Sequence, residues 1–240
     1  MTPAPLPPYR LGFVEGATPD KWARRWRERR QEPIELVPLL PEEQLEALDS
    51  GRVDACIARL PVPERCHVVR LYDDPAVVVA PADHLVAAAD EVSLADLAEE
   101  QLVLPPDTVP GWTEVSTVER LPFPAMGVRE AVEVVASGTG VVVVPASVAR
   151  LHARKDTVVR PVVDGPVSEV ALVWLREHDD ERSQELVGVV RGRTARSSRG
   201  AAPDPARSAA PRSAAPPRRR GDARPAAGRG AQRRPGRGRR

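Results

Sequence analysis

What most constrains this chain is an alternation: between Tyr9 and Val190, apolar runs of strand length take turns with segments whose apolar residues recur at helical spacing. Leu11–Val14 reads as a short buried strand. Thr18 then offers an N-cap with Pro19 at the first helical position, and the helix that follows sets Trp22 and Trp26 one turn apart. Lys21, Arg25 and Arg29 stack on another face of it. Ile34–Leu39 is the next strand. Pro41 opens a helix with Leu45 and Leu48 inward, and Gly51 closes it. Val53–Ala58 is a third strand, and Ala76–Ala80 a fourth after a turn at Asp73–Pro75. A β-α-β-α-β order in the first ~60 residues implies a parallel sheet, because each short helix serves as a crossover.

The signals continue beyond Pro81. A short helix is expected at Ser93–Glu99 with Ser93 as its cap, then a strand at Gln101–Leu104 and a loop rich in Pro and Gly. A helix from about Arg129 to Ala136 is broken by Ser137–Gly140, and the all-valine run Val141–Val144 is a strand ended by Pro145. Ala146–His152 reads as a short helix, Val158–Val163 and Val170–Trp174 as strands, and Glu181–Val190 as the closing helix.

Composition enters at the C-terminal end. Arg191–Arg240 holds 16 Arg, no Lys and two acids, Asp204 and Asp222, a net +14. The whole chain is +1, so residues 1–190 carry −13. The basic stretch has no aliphatic residue larger than Ala and no aromatic, too little apolar surface to offset the entropy of ordering it. It is expected to be disordered.

Chemistry-bearing motifs are few. Cys56 and Cys66 give neither a disulfide framework nor metal-ligand spacing, and His67, His84, His152 and His178 sit in separate elements. There is no hydrolase nucleophile motif, phosphate loop or zinc spacing. Ser137-Gly138-Thr139-Gly140 is glycine-rich but ends a helix, whereas a phosphate cradle precedes one. No enzyme activity, metal or cofactor is expected. MTPAPLPPYR has neither the basic start nor the apolar core of a signal peptide, and no run approaches the ~20 apolar residues of a membrane span, so a cytoplasmic location and no membrane contact are expected.

One spot suits a ligand. At Val14-Glu15-Gly16-Ala17-Thr18 a strand runs into a helix N-terminus at the carboxyl edge of the sheet, where open α/β sheets bind ligands. The first free N–H groups beside the Thr18 hydroxyl suit a carboxylate. Arg59, at the end of the third strand, lies on the same edge and offers a guanidinium to an anion. Glu15 opposes a negative ligand unless it points away or the ligand is zwitterionic.

Four segments carry a family resemblance. Leu45-Glu46-Ala47-Leu48-Asp49-Ser50-Gly51-Arg52-Val53-Asp54-Ala55 resembles the leucine, glycine, aliphatic, aspartate signature of the LysR-type substrate-binding domain. Leu71-Tyr72-Asp73-Asp74-Pro75-Ala76-Val77-Val78-Val79, followed by Asp83-His84-Leu85, resembles that family's next strand and its His-Pro-Leu turn, here without the Pro. Val92-Ser93-Leu94-Ala95-Asp96-Leu97 matches the helix opening the second lobe, and Val134-Val135-Ala136-Ser137-Gly138-Thr139-Gly140-Val141 up to Pro145 is the most specific match.

The resemblance implies an α/β, two-lobed fold like the type 2 periplasmic binding proteins. Lobe I covers about 9–81 and 164–194 and lobe II about 82–163, with disordered ends at 1–8 and 195–240. It implies a non-catalytic sensor with a small effector between the lobes, which the helix end at Thr18 and the Arg59 guanidinium lead us to expect to be anionic. Contacts fall at Gly16, Ala17 and Thr18, at Arg59 and Leu60, at Leu104 and Pro105, and at Thr139. It also implies a homodimer paired through the helices at Thr18–Arg30 and near Arg129–Ala136. The family begins with a winged helix-turn-helix, but only eight residues precede the first strand here. Sequence-specific DNA binding by this chain alone is therefore not expected. The alternative is a nucleic-acid-binding or scaffolding protein acting through the Arg-rich tail, which suits nonspecific phosphate contact but lacks aromatics for base stacking.

Overall fold

The computed structural model describes residues 7–30 and 32–192. The expectations of disordered ends at 1–8 and 195–240 fall almost wholly outside the described residues. In chain order the elements begin with β1 (Tyr9–Val14), α1 (Asp20–Arg29) and β2 (Ile34–Leu39), then a 3-10 turn at Pro41–Glu43, α2 (Gln44–Asp49), β3 (Ala55–Arg59) and β4 (Cys66–Pro81). After a run of short 3-10 turns come α3 (Trp112–Val115), α4 (Val128–Ala136), β5 (Val142–Pro145), α5 (Ala146–Leu151), β6 (Thr157–Pro161), β7 (Val167–Leu175) and α6 (Glu181–Val190).

The first three strands pair as their short crossovers require, β1 lying parallel to both β2 and β3. The sheet is mixed beyond that point, since β7 runs antiparallel to β3 and β4. A second sheet forms where β4 continues past Pro75 and pairs antiparallel with β5 on one side and β6 on the other. Two clusters, one around Trp22, Trp26 and Leu172 and one around Leu48, Cys56 and Val173, cover the two faces of the first sheet. Two others, around Leu97, Leu102 and Trp112 and around Val79, Val132 and Val135, do the same for the second. The chain thus builds two lobes on two sheets, and β4 passes through both.

That passage corrects the turn expected at Asp73–Pro75. The Asp-Asp-Pro chemistry favours a turn locally, but β7 supplies a partner at each step: Asp73 faces Glu169, Asp74 faces Ser168 and Pro75 faces Val167. Pro75 has no N–H to give a ladder, and it sits where β4 leaves β7 for the second sheet. Ala76 then donates to the Pro166 carbonyl and accepts from Val162 N–H, tying both crossings together.

Three further expectations shift. The helix at Ser93–Glu99 is a single 3-10 turn over Ala95–Leu97, with Ser93 and Asp96 bonded reciprocally. Gln101–Leu104 makes only a parallel bridge between Leu102 and Val141, because the Arg120 guanidinium takes the carbonyls of Leu102 and Val103. Thr18 does not cap α1. Pro19 holds the cap position with no side-chain bond, its carbonyl accepting from Trp22 and Ala23. Among the described residues, no helix is long and apolar enough to cross a membrane.

Candidate functional site

Two chambers lie where the lobes face each other. The inner, of about 370 Å³, is walled from lobe I by Arg59 and Pro41 and from lobe II by Leu104, Thr108, Val128, Val143 and Val148. Ala76 of β4 and Val167 and Ser168 of β7 close it at the crossing strands. The outer, of about 590 Å³, lies between the β1–α1 loop (Gly16, Ala17, Thr18), the end of β2 and α5, with Arg150 and Leu151 on its far wall. Glu15 borders both.

Arg59 reaches the inner chamber because β3 ends there, and Gln44 holds its backbone on both sides, accepting from its N–H and donating to its carbonyl. Its guanidinium is not free for a ligand. Nη1 donates to Asp74 Oδ2 at 3.1 Å and Ser168 Oγ at 2.8 Å. Nη2 donates to Asp74 Oδ2 at 3.1 Å, the Glu15 carbonyl at 3.1 Å and Ser147 Oγ at 3.3 Å. The side chains of the pair are 14% and 5% exposed, so its charges are desolvated and cancel each other. Asp74 also takes the Ser147 N–H at 3.0 Å and its hydroxyl at 2.5 Å, joining the crossing strand of lobe I to the first turn of α5 in lobe II. Nearby, partial burial and then the Asp74 carboxylate push the Tyr72 phenol up, with Arg59 opposing.

A second tie between the lobes is the Glu15 carboxylate, 2.5 Å from Nε2 of His152 just past α5. Glu15 therefore turns its carboxylate toward lobe II, where His152 holds it. The Arg150 guanidinium, on the outer chamber, has no hydrogen bond or ion pair among the described residues.

Of the residues singled out in the sequence, Gly16, Ala17 and Thr18 line the outer chamber and Arg59 and Leu104 the inner. Leu60 packs on the core beneath β3, Pro105 is exposed beside Leu104, and Thr139 sits in the turn before β5, its hydroxyl 3.5 Å from that of Ser137. These three line neither chamber. Sequence reasoning missed Asp74, Ser147, Arg150 and His152. Cys56 and Cys66 are buried and unpaired, and no group of three His, Cys, Asp or Glu converges among the described residues to hold a metal ion.

Two α/β lobes on crossing strands, with a lined cleft between them, define a two-lobed small-molecule-binding domain of the type 2 periplasmic-binding-protein kind. The LysR substrate binding domain model matches residues 10–195, and the chain belongs to that family. It is 34% identical over 185 residues to the HTH-type transcriptional regulator IlvR of Caulobacter vibrioides, covering 71% of this chain and 59% of IlvR. It is 32% identical over 141 residues to the HTH-type transcriptional regulator CatR of Pseudomonas putida, covering 54% of this chain and 48% of CatR. The chain thus spans about half to three fifths of these relatives. Among solved structures, the BenM effector binding domain with its effector benzoate superposes with a TM-score of 0.66 at 20% identity, covering 79% of this chain and 92% of that one.

Proposed function

We propose that this chain is the effector-sensing part of a transcriptional regulator: it holds a small molecule between its lobes and does no chemistry on it. The observation that carries this reading is the inner chamber, whose walls come from both lobes and both crossing strands. A ligand there touches everything that moves when the lobes move, so it shifts their relative populations by its differential affinity. The chamber is at the small end of the ~300–1,000 Å³ typical of ligand sites, and most of its lining is apolar. Of the polar groups around it, the Arg59 guanidinium is spent on Asp74, and the Glu15 carboxylate is hydrogen-bonded to His152.

This arrangement favours a ring-sized, mainly apolar ligand whose polar end meets the Ser168 and Thr108 hydroxyls. Burying ~150 Å² of apolar surface gives about 4 kcal/mol, and each neutral hydrogen bond adds about 1 kcal/mol. An anion at Arg59 must first displace Asp74. A second reading keeps the anionic effector expected from the sequence and moves its cation: Arg150 lines the outer chamber together with Thr18, and its guanidinium has no partner among the described residues.

Calorimetry with benzamide and benzoate, a neutral and an anionic molecule of one shape, separates the two. Benzamide as the tighter ligand, lost in Thr108→Trp, supports the inner site; benzoate as the tighter, lost in Arg150→Ala, supports the outer one. A wider thermal-shift screen of small amides and carboxylates whose hits bind Thr108→Trp and Arg150→Ala as tightly as the parent places the site elsewhere. We further propose that contact with specific DNA belongs to the remainder of a full-length regulator, and that this chain forms a homodimer, the commonest closed oligomer. Light scattering that finds only monomer at high micromolar concentration rules the dimer out.

A further inference from the structure

We infer that Gly16 is the specificity-determining position of the cleft: seated bare against the first turn of α5, it is the partition that splits one interlobe cleft into two chambers. Gly16 belongs to the lining of the outer chamber and Val148 to that of the inner, so their contact is the wall between them. The contact leaves no space. A Cβ on Gly16 would collide with Ser147 Oγ and stand 3.0 Å from Val148 N and 3.1 Å from the Ser147 carbonyl carbon. The atoms it meets cannot give way. Two of them are backbone, and Ser147 Oγ is held by Asp74 at 2.5 Å and by Arg59 at 3.3 Å. The loop that carries Gly16 is clamped too, the Glu15 carbonyl by Arg59 at 3.1 Å and its carboxylate by His152 at 2.5 Å.

With the partition seated, a ligand is limited to the length of one chamber. With it lifted, the chambers join, and a longer amphipathic molecule fits with its apolar body among Leu104, Val128 and Val143 and its anionic end at Arg150. The residue at position 16 therefore sets which lengths of effector bind with the lobes together. This rests on the cleft being the binding site, but the partition is tested without any effector.

The confounding effect is backbone strain, because Gly16 has φ +83°, where any L side chain is unfavourable. Gly138 supplies the control: its φ is +89°, yet a Cβ there meets nothing within 4 Å. Spin labels are placed at Glu42→Cys and Arg129→Cys, exposed positions beside Pro41 and Val128 on opposite walls of the inner chamber. The native Cys56 and Cys66 are buried and leave the labelling selective. Electron–electron distance measurement is expected to give a longer distance in Gly16→Ala and an unchanged one in Gly138→Ala. The long anionic dye 1-anilinonaphthalene-8-sulfonate is expected to bind Gly16→Ala severalfold more tightly than the parent, with near-ultraviolet dichroism intact. An unchanged distance in folded Gly16→Ala, or the same lengthening in Gly138→Ala, overturns the inference, as does a longer distance with no gain in dye binding. Should Gly16→Ala not fold, Ser147→Val puts the added bulk on the other side of the same contact, and an unchanged distance there in folded protein overturns it equally.

Discussion

Asp74 is 4% exposed and shares its two oxygens between the Arg59 guanidinium and the N–H and hydroxyl of Ser147. Removing it leaves a buried cation and a helix turn without their acceptor, which for buried pairs costs about 3–5 kcal/mol. Asp74→Ala is expected to lower urea stability by that amount and Asp74→Asn by less, since the amide oxygen still accepts. Equal losses would mean that charge, rather than the bonds, is what matters. Arg59 was legible in the sequence, because the end of a parallel strand faces the ligand edge of a sheet. Its partner was not, because Asp-Asp-Pro advertises a turn and only the pairing with β7 extends it. Arg150 and His152 were illegible for a related reason: helical spacing says nothing about which loop of the other lobe a helix meets. A second residue-scale expectation concerns pH. Burial pushes the Cys56 thiol up to about 12 from its ordinary 9.0, and burial raises Cys66 as well. Raised values mean that these thiols stabilise the fold fully below pH 9 and progressively less above it, where unfolded chains release the proton first. Stability should therefore fall between pH 9 and 10, before Tyr9, raised by its own burial, contributes. Urea midpoints of Cys56→Ala/Cys66→Ala should be flat over that interval.

Elements were legible where local chemistry and tertiary packing agree. α6 has the boundaries expected, Glu181–Val190, because Asp180 caps it by accepting the Ser183 N–H at 2.8 Å. β2 and α4 fall where alternation and period put them. α1 kept its inward stripe although its cap moved to Pro19: Trp22, Ala23 and Trp26 are buried. Trp26 is fully buried, with its ring centroid 5.0 Å from that of Tyr9 and its Nε1 donating to the Glu32 carbonyl at 3.0 Å. It fixes α1 to the start of β1, and so fixes the loop carrying Gly16 at the other end of that strand. Trp26→Ala is expected to cost about 3–5 kcal/mol, the range for deleting a buried large aromatic, and to weaken effector binding beyond what global unfolding explains. A stability loss with binding unchanged in the folded fraction would show that the loop is positioned from the α5 side instead.

At the scale of the whole molecule, the lobes are not independent beads. Lobe II is spliced into lobe I between β4 and β7, and each crossing is hydrogen-bonded to the other: Pro75 faces Val167, and Ala76 bonds to both Pro166 and Val162. β4 alone lends Cys66–Pro75 to one sheet and Ala76–Pro81 to the other, so neither sheet keeps its central pairing if the other melts. The half-buried ties across the cleft, Asp74 to Ser147 and Glu15 to His152, add to this coupling. The two lobes should therefore unfold in a single transition, as small cooperative units do. The chain's tryptophans allow a test, because Trp22, Trp26 and Trp174 lie in the core of lobe I and Trp112 alone in that of lobe II. In Trp112→Phe, fluorescence reports lobe I only, whereas far-ultraviolet dichroism reports both. Coincident urea curves are expected from the two signals. A two-step dichroism curve, with fluorescence following only one step, would show that the crossing strands are a flexible joint between separately stable lobes, and that a ligand must then do the work of coupling them.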